Sequence, residues 1–138
     1  MTEKATIIVH SGDMDKVYSA FIIGNGALAM GMEVSMYFTF WGLQRLKKGG
    51  LEGGPLSKMH MLGLGKWMMQ RLMKDSKFPA VEELMAMAKG MGVKFVACTT
   101  TMGFMGLSKE AFIPEVDSFA GVATYLAEAS EGRVNLFI

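Results

Sequence analysis

Apolar, β-branched runs alternating with glycine-terminated helical stripes are the feature that most restricts the fold of this chain. Lys4–His10 is nearly continuous in apolar and β-branched residues, the pattern of a parallel strand buried on both faces. Asp13 is placed to cap a helix running to about Met30, with Val17, Ala20, Phe21, Gly24 and Leu28 on one stripe. Gly31 stops that helix, and Glu33–Phe40 reads as a second strand. The alternation resumes at Pro79, a first-turn residue for a helix over Ala80–Lys89, which Gly90 to Gly92 ends before a third strand at Val93–Cys98. A short helical piece then runs to Met105 with Gly106 as its stop, and Ser108–Glu110 opens one more turn before Pro114 interrupts it. A short strand near Glu115–Asp117, a helix from about Phe119 to Ala129 and a strand at Arg133–Ile138 close the pattern.

Right-handed βαβ crossovers turn that order into a single-domain, flavodoxin-like α/β sandwich of three layers around a mostly parallel sheet of four to five strands. The expected strand order, 2-1-3-4-5, sets the first and third strands side by side. Their carboxyl ends would then bring His10, Ser11, Gly12 and Asp13 to the same crevice as Cys98, Thr99, Thr100 and Thr101. A chain of 138 residues fits one domain, and its 51% hydrophobic and 20% charged content supplies a core without disulfides.

One stretch departs from the regular alternation, at about residues 42–77. Gly42, Gly49, Gly50, Gly53, Gly54 and Pro55 make Trp41 to Ser57 a long loop. Lys58–Lys74 follows as a Met-rich, basic helical segment in which Met61, Leu64, Trp67, Met68 and Leu72 form an apolar stripe. Such a stripe is too large to leave in water on a small monomer, and it predicts a homo-oligomer. The chain's fifteen methionines fit an adaptable core and contact surface.

Several classes of function drop out. A net charge of +1 offers no electrostatic footprint for nucleic acid. The first apolar run is too short for a signal peptide, and the longest uncharged stretch, Val17 to Met32, falls short of a membrane span, so a cytoplasmic protein without membrane association is expected. Neither a dinucleotide fingerprint nor a Walker-type lysine motif occurs, and there is no nucleophile elbow. Met59-His60-Met61 offers soft ligands, but a copper site needs a further converging cluster that the sequence lacks, so no metal is expected.

Cys98 remains as the candidate for chemistry. It is the only cysteine, so it cannot form an internal disulfide. It stands where an apolar strand gives way to a hydroxyl-rich helix start, a setting that favours a thiolate. A buried free cysteine acting as a small hydrophobe is the alternative, in a non-catalytic oligomeric interaction subunit, and a small-molecule binding module using the same crevice without covalent chemistry is another. His10, at a strand end, either orients the thiol or packs structurally, and Asp13 is read first as a helix cap.

The stretches Ile8-Val9-His10-Ser11-Gly12-Asp13, Ala29 to Val34 leading to Phe38 to Leu43, and Ala97-Cys98-Thr99-Thr100-Thr101-Met102-Gly103-Phe104-Met105-Gly106 resemble the DsrE/DsrF-like family of sulfur-trafficking proteins. Gly121 to Leu126 adds a weaker match. The resemblance implies a small oligomeric α/β subunit in which the cysteine at position 98 carries sulfur as a persulfide, without metal or organic cofactor. The implied partners are sulfur donor and acceptor proteins or small sulfane-sulfur compounds such as thiosulfate. Some relatives hold a second cysteine near the active one, and this chain has none.

Overall fold

The computed structural model describes residues 2–138. Five strands, β1 (Lys4–Val9), β2 (Glu33–Phe38), β3 (Lys94–Cys98), β4 (Ser118–Ala120) and β5 (Val134–Phe137), form one fully parallel sheet in the order β4-β3-β2-β1-β5. The α/β class and the parallel five-stranded sheet are those expected from the sequence. The strand order is not: β2 lies between β1 and β3, where the flavodoxin-like order would have made those two neighbours.

The chain advances one strand at a time from β1 to β4. Right-handed crossovers therefore keep α1 (Met14–Ala29) and α4 (Val81–Gly90) on one face, packed against each other. It then returns across the sheet through α6 (Val122–Ala129), on the opposite face, to set β5 beside β1. The change of direction falls between β1 and β5 and away from Cys98. At that point the His10 N–H donates to the Ile138 carbonyl at 2.8 Å, and the His10 ring lies 5.2 Å from Phe137.

Strand alternation distributes the side chains between the two faces. Ile7, Val34 and Met36 lie against Gly24 of α1, where a Cβ would sit 3.4 Å from the Met36 sulfur. Phe21 of α1 meets Phe38 and Phe95 at ring separations of 6.4 and 5.8 Å, and these residues, with Val9, Val17 and Ala97, are fully buried. Thr6, Ser35 and Tyr37, one residue out of phase, face α6. Glu128 of α6 accepts hydrogen bonds from both the Ser35 and Tyr37 hydroxyls, so a charged group pins α6 to the sheet.

Element boundaries shift where local side chains override periodicity. Asp13 takes the position before α1, but its side chain makes no capping bond; its own N–H donates to Ser11 Oγ at 3.1 Å. The segment after β2 opens with a helical turn, α2 (Phe40–Leu43), and a 3-10 turn at Gln44–Leu46, shortening the expected loop. β4 begins at Ser118 and not at Glu115; just before it, Asp117 accepts the Phe95 N–H through its carboxylate at 2.8 Å and donates its own N–H to the Phe95 carbonyl at 2.9 Å. The Met-rich helix, α3 (Leu64–Asp75), starts six residues later than expected. Left-handed backbone at Met59, Met61, Leu62 and Gly63 prevents an earlier start.

No helix among the described residues is long and apolar enough to cross a membrane.

Candidate functional site

β3 carries its side chains alternately to the two faces, so Phe95 and Ala97 enter the core while Cys98 emerges on the α6 side. The thiol stands at the carboxyl end of β3, immediately before α5 (Thr99–Met105), and is partly accessible. In register, Phe38 pairs with Ala97 and Cys98 with Ala120. The residue after Phe38 is therefore brought beside Cys98, and that residue is Thr39.

Two opposing effects act on the thiol. Burial pushes it up, but the N–H of Thr101, the mutually paired hydroxyls of Thr39 and Thr101 and the N–H of Thr100 surround the sulfur and favour its thiolate. Together they outweigh burial and hold Cys98 below its ordinary value. Thr101 is itself fully buried, and its Oγ1 also accepts the Phe40 N–H at 3.2 Å. Phe40 has left-handed backbone, with φ 48°, so this bond holds an otherwise disfavoured turn at the end of β2. Gly106, with φ 67°, ends α5 as expected from its sequence position.

A cavity of about 120 Å³ adjoins the thiol. Ile8, Tyr37 and Thr39 form its sheet side, and Ala120, Gly121, Val122 and Tyr125 form the side toward α6. Tyr37 and Tyr125 meet edge to face at 4.9 Å. The Tyr37 phenol is raised far above its usual value by burial and by its bond to Glu128, so it stays protonated.

Of the neighbours expected from sequence, Thr100 and Thr101 meet the sulfur, and Thr99 is absent from its donors. Ser11, Gly12 and Asp13 do not line the cavity. They begin the turn into α1 and pack beneath the segment after β2. A Cβ on Gly12 would lie 2.5 Å from the Trp41 carbonyl oxygen, and one on Gly54 would lie 2.0 Å from the Gly12 oxygen. His10 is separated from Cys98 by β2, a lateral distance of about 10 Å at the usual strand spacing. Its ring stacks on Phe40 at 5.0 Å. Thr39, Tyr37 and Tyr125 are the site residues that sequence reasoning missed. The polar alternation Ser35, Tyr37, Thr39 along and just past an otherwise apolar strand was the one signal for Tyr37 and Thr39, and Tyr125 on α6 had none.

The Met-rich segment lies elsewhere, over α1. Met61, Leu64, Trp67, Met68 and Leu72 are each more than half exposed. Met69 and Met73 look instead into a cavity of about 370 Å³ shared with Tyr18, Ile22 and Phe78. His60 is committed locally, its Nδ1 accepting the Leu56 N–H at 3.2 Å, and no three His, Cys, Asp or Glu side chains converge among the described residues.

Two solved structures share this architecture at low sequence identity. The protein of unknown function MTH1491 from Methanobacterium thermoautotrophicum superposes with a TM-score of 0.66 at 16% identity, covering 99% of both chains. The ychN protein from E. coli superposes with a TM-score of 0.62 at 10% identity over the whole of both chains. Both show likeness of fold alone. In sequence, the chain is 43% identical to the uncharacterised protein YrkE of Bacillus subtilis (strain 168) and 34% identical to the sulfur carrier protein DsrE2 of Allochromatium vinosum. Each alignment covers 99% of this chain and 98% of the relative. The DsrE/DsrF/DrsH-like family model matches residues 1–52 and 49–137, which together span nearly the whole sequence, and the chain belongs to that family.

Proposed function

We propose that this protein is a sulfur carrier that accepts and passes on sulfane sulfur through a persulfide on Cys98, and so acts as a sulfurtransferase. The observation that carries the reading is the thiol itself. It is partly accessible, it is faced by the Thr100 and Thr101 N–H groups and by the paired Thr39 and Thr101 hydroxyls, and it opens onto a cavity. Family membership and 34% identity to a sulfur carrier protein support sulfur trafficking as the setting.

In the first step the Cys98 thiolate attacks the outer sulfur of a donor persulfide. A new S–S bond forms to Cys98, the donor's S–S bond breaks, and the donor leaves as a thiolate with the electron pair of the broken bond. With thiosulfate as donor, the leaving group is sulfite. An acceptor thiolate then attacks the outer sulfur on Cys98 and regenerates the Cys98 thiolate. Neither step needs an external oxidant or reductant. The hydrogen-bond donors stabilise the anionic sulfur before loading and after release. With no second cysteine in the chain to resolve it, the persulfide persists until a partner removes it.

The same reading includes a homo-oligomer built on the stripe of Met61, Leu64, Trp67, Met68 and Leu72, working in the cytoplasm, where a lone thiol stays reduced. Intact-mass measurement after incubation with a persulfidated donor protein or thiosulfate tests the chemistry. Cys98 gains sulfur that a reducing thiol removes, and Cys98→Ser gains none. If every donor leaves Cys98 unmodified while small alkylating reagents label it readily, the cavity serves non-covalent binding instead.

A further inference from the structure

The cavity beside Cys98 is larger than one added sulfur atom requires, and its polar groups are already committed. The Tyr37 hydroxyl donates to Glu128, and the Tyr125 hydroxyl donates to Thr6 Oγ1 at 3.2 Å, the Thr6 proton being given to Asn135 Oδ1. Thr39 Oγ1 is paired with Thr101 Oγ1 at 2.9 Å. No Lys, Arg or His lines the space. Its remaining surface is the carbon of Ile8, Val122 and the two tyrosine rings. A space of about 120 Å³, open to solvent on one side and walled mostly by carbon, has room for a few neutral, polarisable heavy atoms. Val122, two-thirds exposed, marks the side on which it meets solvent.

We propose that this cavity holds a short chain of sulfane sulfur extending from Cys98, so that one subunit carries two or more transferable sulfur atoms at once. The inference rests on the persulfide reading of Cys98 and adds a capacity to it. Inner sulfurs of such a chain are uncharged and replace no hydrated group, so the carbon walls accept them without an unpaired charge. The terminal sulfur, which bears the charge, reaches the solvent side near Val122. An inorganic polysulfide supplies the chain in one displacement. The Cys98 thiolate attacks an inner sulfur, one S–S bond forms and one breaks, and the remainder leaves with the electron pair, from tetrasulfide a disulfide dianion when two sulfurs are added or sulfide when three are. Total charge is conserved, and no added oxidant is needed.

The test uses the full chain in its native state, incubated with sodium tetrasulfide, freed of excess reagent, alkylated and measured as intact mass. The expected product is a series of Cys98 adducts that includes species with two and three added sulfurs. Ala120→Leu, which projects bulk from the β4 residue paired with Cys98, and Val122→Phe, at the solvent side, should each shift the distribution away from the longer species toward the single-sulfur adduct. The iodoacetamide rate at Cys98 should stay within about twofold of the parent, which separates a smaller cavity from a damaged thiol. Wild-type protein limited to one sulfur at any excess of tetrasulfide overturns the proposal while leaving the persulfide reading intact. So does an unchanged adduct distribution in both folded variants. Absence of any sulfur on Cys98, with tetrasulfide and with persulfide donors alike, overturns both.

Discussion

Thr39 Oγ1 and Thr101 Oγ1 lie 2.9 Å apart at the carboxyl edge of the sheet, and both reach the Cys98 sulfur. The two hydroxyls own one proton each, so when one donates to the other, only one proton remains for the sulfur. If Thr39 donates to Thr101, then Thr101 Oγ1 accepts from both Thr39 and the Phe40 N–H and donates its own proton to Cys98. Every lone pair and proton on Thr101 is used in that arrangement. The pair thus supplies the thiolate with one hydroxyl donor, polarised by a second.

The two threonines should therefore separate on substitution. Thr39→Val leaves Thr101 to donate, and the thiol should rise by less than one pKa unit, about 1.4 kcal/mol. Thr101→Val also removes the acceptor of the part-buried Phe40 N–H, so it should raise the thiol further and cost about 1 kcal/mol of stability. Alkylation rate against pH reads the first effect, and denaturant unfolding reads the second. Equal effects from both substitutions would contradict the proton accounting. The sign for the parent follows from a thiol held low in the folded state. Its stabilising contribution is present above the unfolded value and is lost as pH falls through the folded one.

Gly42 is a second sensitive point, because a Cβ there would lie 2.1 Å from the Val9 carbonyl oxygen at the end of β1. The obstacle is backbone and cannot swing aside. Gly42→Ala should destabilise by about 1–3 kcal/mol, as overpacking does in cores. By displacing the turn that carries Thr39 and Phe40, it should also raise the Cys98 thiol. A variant with parental melting temperature and parental alkylation profile would show that the β1–β2 edge yields more easily than this contact allows.

The elements of this fold were legible because their signals are local. The stripe of α1, the glycine stops at Gly31 and Gly106 and the apolar run ending at Cys98 each depend on a few neighbouring residues. Strand order depends on which crossover passes over which strand, and an alternating βαβ pattern is compatible with several orders. The misplacement of the Ser11–Asp13 loop follows from that one ambiguity. Once β2 is the neighbour of β3, Thr39 replaces that loop beside the thiol. The late start of α3 was illegible for another reason. Met59, Met61 and Leu62 have ordinary helix-compatible side chains, and nothing in them signals the left-handed backbone they adopt.

Glu128 ties α6 to the sheet behind the cavity, accepting from Ser35 and Tyr37. Glu128→Ala should leave two hydroxyls without their acceptor and cost about 1–3 kcal/mol. Glu128→Gln keeps an oxygen for one of them and should recover part of that loss. Thermal unfolding of the two variants beside the parent checks this order. A Glu128→Ala protein as stable as the parent would mean that water replaces the carboxylate at no expense.

The exposed stripe of α3 carries the last expectation, a copy-to-copy contact. Residues 42–77 hold eight of the 14 Lys and Arg residues but two of the 13 Asp and Glu, so the apolar side chains are embedded in a basic surface. A two-fold contact of stripe on stripe buries Trp67 and Leu72 but brings Lys66, Arg71 and Lys74 toward their counterparts. The apolar burial favours association and the like charges oppose it. Added salt shortens the screening length from about 30 Å at 0.01 M to about 3 Å at 1 M, which weakens only the opposing part. Association should therefore tighten as salt rises. A contact pairing this basic face with the acidic remainder of another copy should loosen instead. Sedimentation of the parent at micromolar concentration, at low and high salt, decides between the two. Trp67→Asp should give a folded monomer, and a parent protein that is itself monomeric at both salt concentrations would remove the stripe as a subunit contact.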